Sequence, residues 1–519
     1  MKNLLALLLC LIILAGCFTA CGGKGDPKKD PKGTATVENT AGNETDSAST
    51  TTENLYDENG FLKDHLPEAD FGNTEFNVLA YWKPYTEYDI KPVDIKDSVD
   101  AAIYKRDREV EDRYNIAFNF ISIYGDYENR INYISRVENM ASTGESFDMI
   151  SMYSLISMNL ASKGLLANLL DNEMSALDFS NPWWSYSLVE YNTIGGKLFY
   201  ATGDISVSYV KQMEIMLYNY DLAKNWSIAT DPIDDVKNDE WTLERMLDYT
   251  KNVYYDLDRD SKKSSGDVFG FVSTDQPYFD FFSAGFSLDT QYMEINEAGS
   301  LTIGSMFTAN GKEKATSVVN RMVNLFNNTD EWVGADVEKD GIKDKSLANT
   351  VKSGNALFTV LVTSEIVSGG YTYDYGVLPC PKYDANQKDY YAITSFPTCI
   401  YAIVKQVANP TKSAIIMEAL ASQSYRRVVT PLFEEQVKTR YANNERNREM
   451  FDLIRSRITI CPTRLLCQEM HEYSGASLNF GFRRKIVNNM DNFASNLDVL
   501  EIQVDSYLKE ILMPAFQNQ

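Results

Sequence analysis

Two stretches of this chain carry residue types at spacings that chemistry would need. In the first, Asp256-Leu257-Asp258-Arg259-Asp260 alternates carboxylates, and Asp267 stands twelfth counting from Asp256. Positions one, three, five and twelve are those from which an EF-hand loop surrounds calcium with oxygen. Ser261 holds the sixth position, where the sharp turn needs glycine, and aspartate at the twelfth is shorter than the customary glutamate. Asp256, Asp258, Asp260 and Asp267 therefore read either as a weakened structural calcium site or as an acidic turn. No other cofactor is expected.

In the second, Leu14-Ala15-Gly16-Cys17 closes an uncharged run that starts at Leu4, just after Lys2. The run is shorter than the roughly 20 residues of a membrane-spanning helix and has the form of a signal-peptide core. A branched residue, two small residues and a cysteine is what lipoprotein signal peptidases require, the cysteine thiol then taking up a diacylglycerol. Residues 1–16 are thus expected as a lipoprotein signal peptide with Cys17 as the acylated residue. Phe18-Thr19-Ala20-Cys21 is a second version of the pattern, weaker because phenylalanine suits its first position poorly, so Cys21 is the alternative. An ordinary secretory signal with two incidental cysteines is the other reading. Two acyl chains on one cysteine would hold the protein durably on the outer face of the cell membrane.

Other chemistries are poorly supplied. His65 and His471 are the only histidines, which leaves little for a zinc site or for a nucleophile–histidine centre, and no catalytic residue is assigned. The formal charge of −24 over 519 residues, without a long basic run, disfavours nucleic acid as a partner. Four of the seven cysteines, Cys380, Cys399, Cys461 and Cys467, fall in the folded part. The spacing of Cys461 and Cys467 could close a small disulfide loop, or all four could be buried thiols.

Stepwise patterning of the rest supplies the scaffold. Residues 17–59 are nearly devoid of large apolar side chains before Leu55 and cannot bury enough surface to offset ordering entropy, so a disordered tether is expected. Glu75–Trp82 then reads as a strand, Ser98–Tyr114 as an amphipathic helix with Lys105, Arg106, Arg108, Glu109 and Glu111 on its polar face, and Ile116–Ile121 as a second strand. A helix over about 128–142 and a strand at Phe147–Met152 complete a parallel α/β rhythm. Later, 208–218 and 356–362 read as strands, 242–255 as a helix, 375–379 as a strand ended by proline, and 410–430 as a helix. At 519 residues two α/β lobes fit better than one sheet.

Several stretches, in this order, resemble the extracellular solute-binding proteins of ABC importers, especially the family 1 carbohydrate-binding lipoproteins of Gram-positive bacteria. They are the helix Ala102–Ile116, Phe147-Asp148-Met149-Ile150 with Gly164–Leu169, Asn181-Pro182-Trp183-Trp184, Gly195–Asp204, Met216–Leu222, Glu240-Trp241-Thr242-Leu243 and Gly376–Asp384. The resemblance implies an α/β, two-lobed, type II periplasmic-binding-protein-like fold, each lobe a sheet flanked by helices, joined by hinge crossings that let the lobes close on a ligand. By that analogy lobe 1 holds 74–203 plus 380–440 and lobe 2 holds 204–379 plus 441–519.

The same resemblance implies a carbohydrate ligand, an oligosaccharide by chain size and aromatic supply, handed to the transmembrane subunits of an ABC permease by a monomeric, lipid-anchored, non-enzymatic receptor. Sugars show C–H patches on their faces and hydroxyls on their rims, so aromatic rings and carboxylates are the candidates. Tyr81 and Trp82 end the first strand and Tyr153 follows the third, where open α/β sheets bind ligands, although one of the first pair could alternate into the core. Of Trp183 and Trp184, one is expected in the core and one at the cleft. Asp204, at the expected first crossing, could accept sugar hydroxyls or cap a turn. Tyr278 and Phe281 lie in a segment similar to the aromatic platform of maltodextrin binders, with core packing as the rival role. Two other functions stay open: a secreted glycoside hydrolase, which would need a pair of carboxyls flanking one bond, and a binder of a non-sugar solute such as a peptide.

Overall fold

The computed structural model describes residues 55–517 apart from 83–94, 96, 144, 336–340, 430–431, 433–444 and 491. The expected signal peptide, Cys17, Cys21 and the tether up to residue 54 lie outside the described residues, as does the side chain of Trp82.

The first α/β unit is built as its patterning predicts. Strand β1 (Thr74–Trp82) leads to helix α1 (Ser98–Tyr114), strand β2 (Ile116–Tyr124), helix α2 (Arg130–Thr143) and strand β3 (Met149–Tyr153). Helix α1 starts where the Asp97 carboxylate accepts the N–H groups of Val99 and Asp100, and ends where Asn115 turns left-handed at φ 49°. Val99, Ile103, Val110 and Tyr114 face the core. The opposite face is less polar in effect than its composition suggests: Arg106 is buried against Asp107 and Ser424, and Glu111 is buried, accepting the Phe118 N–H at 2.8 Å.

Beyond β3 come helix α3 (Tyr186–Asn192), the helical turn α4 (Val207–Lys211) and strand β4 (Glu214–Asn219). The expected strand over 208–218 is thus half helix. Val207, Tyr209 and Val210 are all buried, and a β-branched run buried on every side carries no periodicity to tell a strand from a helical turn. Helix α5 (Leu243–Thr250) is shorter than expected because Asn252 takes φ 61°, after which β5 (Tyr254–Tyr255) joins a sheet edge. Strand β6 (Val268–Thr274), helix α6 (Asp275–Gly285), helix α7 (Ala309–Asn328), and strands β7 (Trp332–Ala335), β8 (Ala356–Val362) and β9 (Tyr375–Leu378) follow. The chain returns through β10 (Cys399–Ala402) and α8 (Pro410–Gln423), and ends in helices that include α9 (Glu445–Ser456), α10 (Cys467–Ser474) and α11 (Leu478–Val487).

Two main sheets result. One runs β10–β3–β1–β2, with β1, β2 and β3 mutually parallel and β10 antiparallel to β3. The other runs β9–β4–β8–β6–β5, where β8 is parallel to β6 and β7 pairs with the C-terminal half of β6 while β5 pairs with its first two residues. Three segments lie between the sheets: 203–213, 379–398 and 457–466. The middle one is bonded to both others. Glu214 N–H donates to Ile393 O at 3.0 Å and Ser395 N–H to Gln212 O at 2.7 Å, while Thr459 N–H donates to Ala392 O at 2.7 Å. Cys380, Cys399, Cys461 and Cys467 are all buried thiols, none of them in a disulfide. Among the described residues, no helix is long and apolar enough to cross a membrane.

The first crossing departs from its sheet at Gly203, which bridges Trp184. A Cβ built there would lie 2.2 Å from the carbonyl oxygen of Trp183, and φ is +150°. Gly203→Ala is expected to cost about 3 kcal/mol in urea unfolding. Gly195→Ala, at a left-handed position with no atom within 4 Å, should cost only about 1 kcal/mol.

Candidate binding site

The C-terminal ends of both sheets meet the middle crossing. After β3, the Ser154 hydroxyl donates to Phe396 O at 2.7 Å, and the preceding residue, Ser395, lines a cavity of about 230 Å³ at the ends of β6 and β8. Glu214, Thr274, Thr359 and Glu365 also line it. Glu214 is buried, and burial together with the nearby Asp280 pushes its carboxyl well above the usual range, with Arg464 pulling against them. Arg464 is the hub of this region. Its guanidinium lies 4.5 Å from the Phe396 ring centroid, 3.5 Å from Asp289 Oδ2 and 3.7 Å from Asp280 Oδ1. Ser283 donates to Asp289 at 2.7 Å and Asn479 to Asp280 at 2.9 Å, yet burial still pushes Asp289 up to about 6.

A larger cavity, about 560 Å³, lies along the same three crossings, and none of its lining residues belongs to a strand of either sheet. Its walls include Trp183, Trp184, Tyr186 and Tyr191 around α3, Asp204 and Tyr209 on the first crossing, Tyr390 and Tyr391 on the second, and Arg455 to Thr459 at the end of α9. The two tryptophans are fixed by one carboxylate. Glu418 of α8 accepts Trp183 Nε1 at 2.9 Å, Trp184 Nε1 at 2.8 Å, Asn181 Nδ2 at 3.0 Å and the Asp178 N–H at 3.3 Å. Burial pushes its carboxyl up to about 7 although all four donors favour the ionised form. Asp204 pairs with Arg455 at 2.5 Å while its own N–H donates to Trp183 O.

The expected binding residues therefore fall in three places. Trp183, Trp184 and Asp204 gather at the larger cavity, with both tryptophans buried rather than one of each kind. Tyr81 and Tyr153 do stand at strand ends, but both are buried, ring against ring at 5.7 Å, so neither presents a face. Tyr278 and Phe281 are corrected outright. Tyr278 is fully buried between Phe271, Phe282 and Phe326, its hydroxyl donating to Met322 O at 2.8 Å, and Phe281 is 2% exposed. Helix α6 turns these rings inward because they sit on the faces that cover β6 and meet α11, and the platform role fails with that burial. Asp256, Asp258 and Asp260 do converge, with one oxygen of each within 4.8 Å of the others. Asp267 does not join them; it is buried and accepts the N–H groups of Leu257 and Ser264.

Glu418, Arg455, Glu214 and Arg464 had no place in the sequence expectations. One of them carries a signal. Glu418 interrupts Ala414-Ile415-Ile416-Met417-Glu418-Ala419-Leu420, and a lone acid in an otherwise apolar helix must meet buried donors.

No family model matches the chain, and no curated protein does. Solved structures do. The sugar-binding protein MalE from the phytopathogen Xanthomonas citri superposes with a TM-score of 0.57 at 12% identity, over 86% of this chain and 100% of its own. The galacto-N-biose-/lacto-N-biose I-binding protein of the ABC transporter from Bifidobacterium longum, in complex with lacto-N-biose, gives 0.54 at 12%, over 85% and 99%. The ABC substrate-binding protein Lmo0181 from Listeria monocytogenes, in complex with cycloalternan, gives 0.52 at 15%, over 84% and 99%. The fold is that of the two-lobed solute-binding proteins. The cavity of Glu214, Thr274 and Ser395 lies at the strand ends beside the crossings.

Glu418→Gln leaves one acceptor oxygen for four donors and is expected to cost about 1 to 3 kcal/mol, with a changed near-ultraviolet circular dichroism from the released tryptophans. A pH dependence follows from the buried acids. Burial raises Asp289 to about 6, Glu418 to about 7 and Glu469 to about 8, so the folded chain keeps protons that the unfolded chain has lost. Their contribution to stability is complete below about pH 4 and is lost as pH rises through 6 to 8. Asp64, pushed up by burial but lowered overall by Arg113 and Ser422, acts oppositely at the acid end. The melting temperature should fall from pH 5 to pH 8, and less steeply in Glu469→Gln.

Proposed function

We propose that this protein is the substrate-binding lipoprotein of an ABC importer, which captures a carbohydrate, an oligosaccharide by preference, between its two lobes and delivers it to a membrane permease. The observation that carries this is the meeting of both sheets' strand ends on one crossing, in a fold whose solved counterparts are sugar-binding proteins. A ligand touching both lobes stabilises the closed arrangement only, and that population shift is the signal a permease can read. Glu214, Thr274, Thr359 and Glu365 offer acceptors and hydroxyls suited to sugar hydroxyls at the lobe-two wall. Binding without turnover agrees with the neighbours being binding proteins, and no arrangement of carboxyls in the cavity is assigned a hydrolytic role.

Cys17 is the proposed site of acylation, with Cys21 as the alternative, and residues 17–59 the tether that holds the body near its permease outside the membrane. Mass spectrometry of the mature N-terminal peptide decides between them, a diacylglyceryl mass on neither cysteine defeating the anchor. Incubation with maltotriose, lacto-N-biose and cycloalternan should leave at least one of them unshortened and raise the melting temperature. At a hundredfold excess over Kd the stabilisation is about 2.7 kcal/mol. Shortened products would point to a hydrolase instead, and a shift with peptides but no sugar to another solute.

A further inference from the structure

The larger cavity has no part in that reading, since no strand end reaches it. Its volume, about 560 Å³, lies within the roughly 300 to 1,000 Å³ of small-molecule sites. Its chemistry is equally specific. Tyr186 is 73% exposed, and Tyr191, Tyr391 and Tyr425 are each half-buried, so tyrosine rings from α3, the middle crossing and the end of α8 all present surface to it. The charged groups on its walls are largely spent on each other. Asp204 pairs with Arg455 at 2.5 Å and Arg457 with Asp389 at 3.0 Å, and the exposed Glu190 and Asp452 also line the cavity. Both arginines that line the cavity are thus already paired, which disfavours an anion. Tyrosine faces with phenolic edges, ringed by oxygen and guanidinium hydrogen-bonding groups, suit a neutral polyhydroxylated ring, whose C–H faces stack and whose hydroxyls both donate and accept.

We infer that this cavity is a second saccharide-binding site, formed by α3, the three crossings and the end of α9, separate from the strand-end cleft. Its two ion pairs tie the first crossing to α9 and the second to the third, so the width of the cavity is set by how the crossings lie. Rotation of the lobes about those crossings must change that width, and saccharide bound here is thermodynamically linked to the cleft.

The inference does not rest on the strand-end assignment, and one experiment separates the two. Titration calorimetry of maltotriose, lacto-N-biose and cycloalternan into the full mature chain is compared with the Tyr186→Ala/Tyr391→Ala double variant, whose melting temperature should be near that of the parent because Tyr186 is exposed and Tyr391 half-buried. Amide hydrogen exchange over 186–191 and 389–391, with and without saccharide, reports on the cavity without any substitution. The expected result is a binding event weakened at least tenfold in the double variant, with exchange slowed at both segments in the parent. If a second event survives in the variant, both sites stand. If all binding disappears, the cavity stands and the strand-end assignment falls. If every saccharide binds parent and variant alike and exchange at both segments is unchanged, the second site is overturned while the strand-end cleft stands. If no saccharide binds the parent, both fall.

Discussion

The two sheets communicate through three backbone segments bonded side by side, and the middle one, 379–398, is the seam on which the rest of the structure depends. Its hydrogen bonds to the first crossing at 212–214 and to the third at 457–459 are of the kind that join strands in a sheet. Hydrogen bonds running across the segments resist their being pulled apart or sheared past one another. The three segments therefore hold one another laterally, and a change of lobe angle has to be taken up by all three together.

Side chains reinforce the seam selectively. Arg464 leaves the third crossing to meet Asp280 and Asp289 of the second lobe and to cover Phe396 of the middle crossing, while Arg455 meets Asp204 on the first. Burying these ions has a desolvation cost that hydrophobic packing would avoid, so at the crossings they fix direction more than they add stability. An apolar contact would tolerate sliding, whereas a guanidinium held between two carboxylates has a narrow choice of positions. The helices beyond Arg464 extend the same function: Gln468 accepts the Tyr127 hydroxyl, from the loop between β2 and α2, and Glu472 pairs with Arg130, the first residue of α2. The C-terminal helices thus pack on α6 and α7 through α11 and also reach the segment that joins β2 to α2.

Much of the scaffold was legible because its periodicity is local. Helix α1 and strands β1, β2 and β8 have boundaries that apolar spacing and caps define within a few residues of their own. The departures arise where burial is complete. In 207–213 every apolar residue is buried whichever way the chain turns, so a helical turn and a strand look alike in sequence. The site was less legible for the same reason. Tyr278 and Phe281 have the residue types of a platform, but type does not reveal which face of α6 meets β6 and α11. Trp183 and Trp184 were located at a cavity, yet their fixed orientation comes from Glu418, 234 and 235 positions away along the chain, a contact that only the fold creates. Asp204 likewise gains its meaning from Arg455, 251 positions distant.

The distribution of buried acids carries the final step. Glu214, Asp280 and Asp289 surround a single buried guanidinium beside the cleft, and burial raises all three carboxyls. A lone cation cannot neutralise three ionised carboxylates in a low-dielectric interior, and burial accordingly pushes all three toward the protonated form. Of the three, Glu214 alone lines the cavity at the ends of β6 and β8, so it is the member of the cluster whose hydrogen bonding that cavity meets. The formal charge of −24 acts in the same direction at longer range, disfavouring anions near the chain.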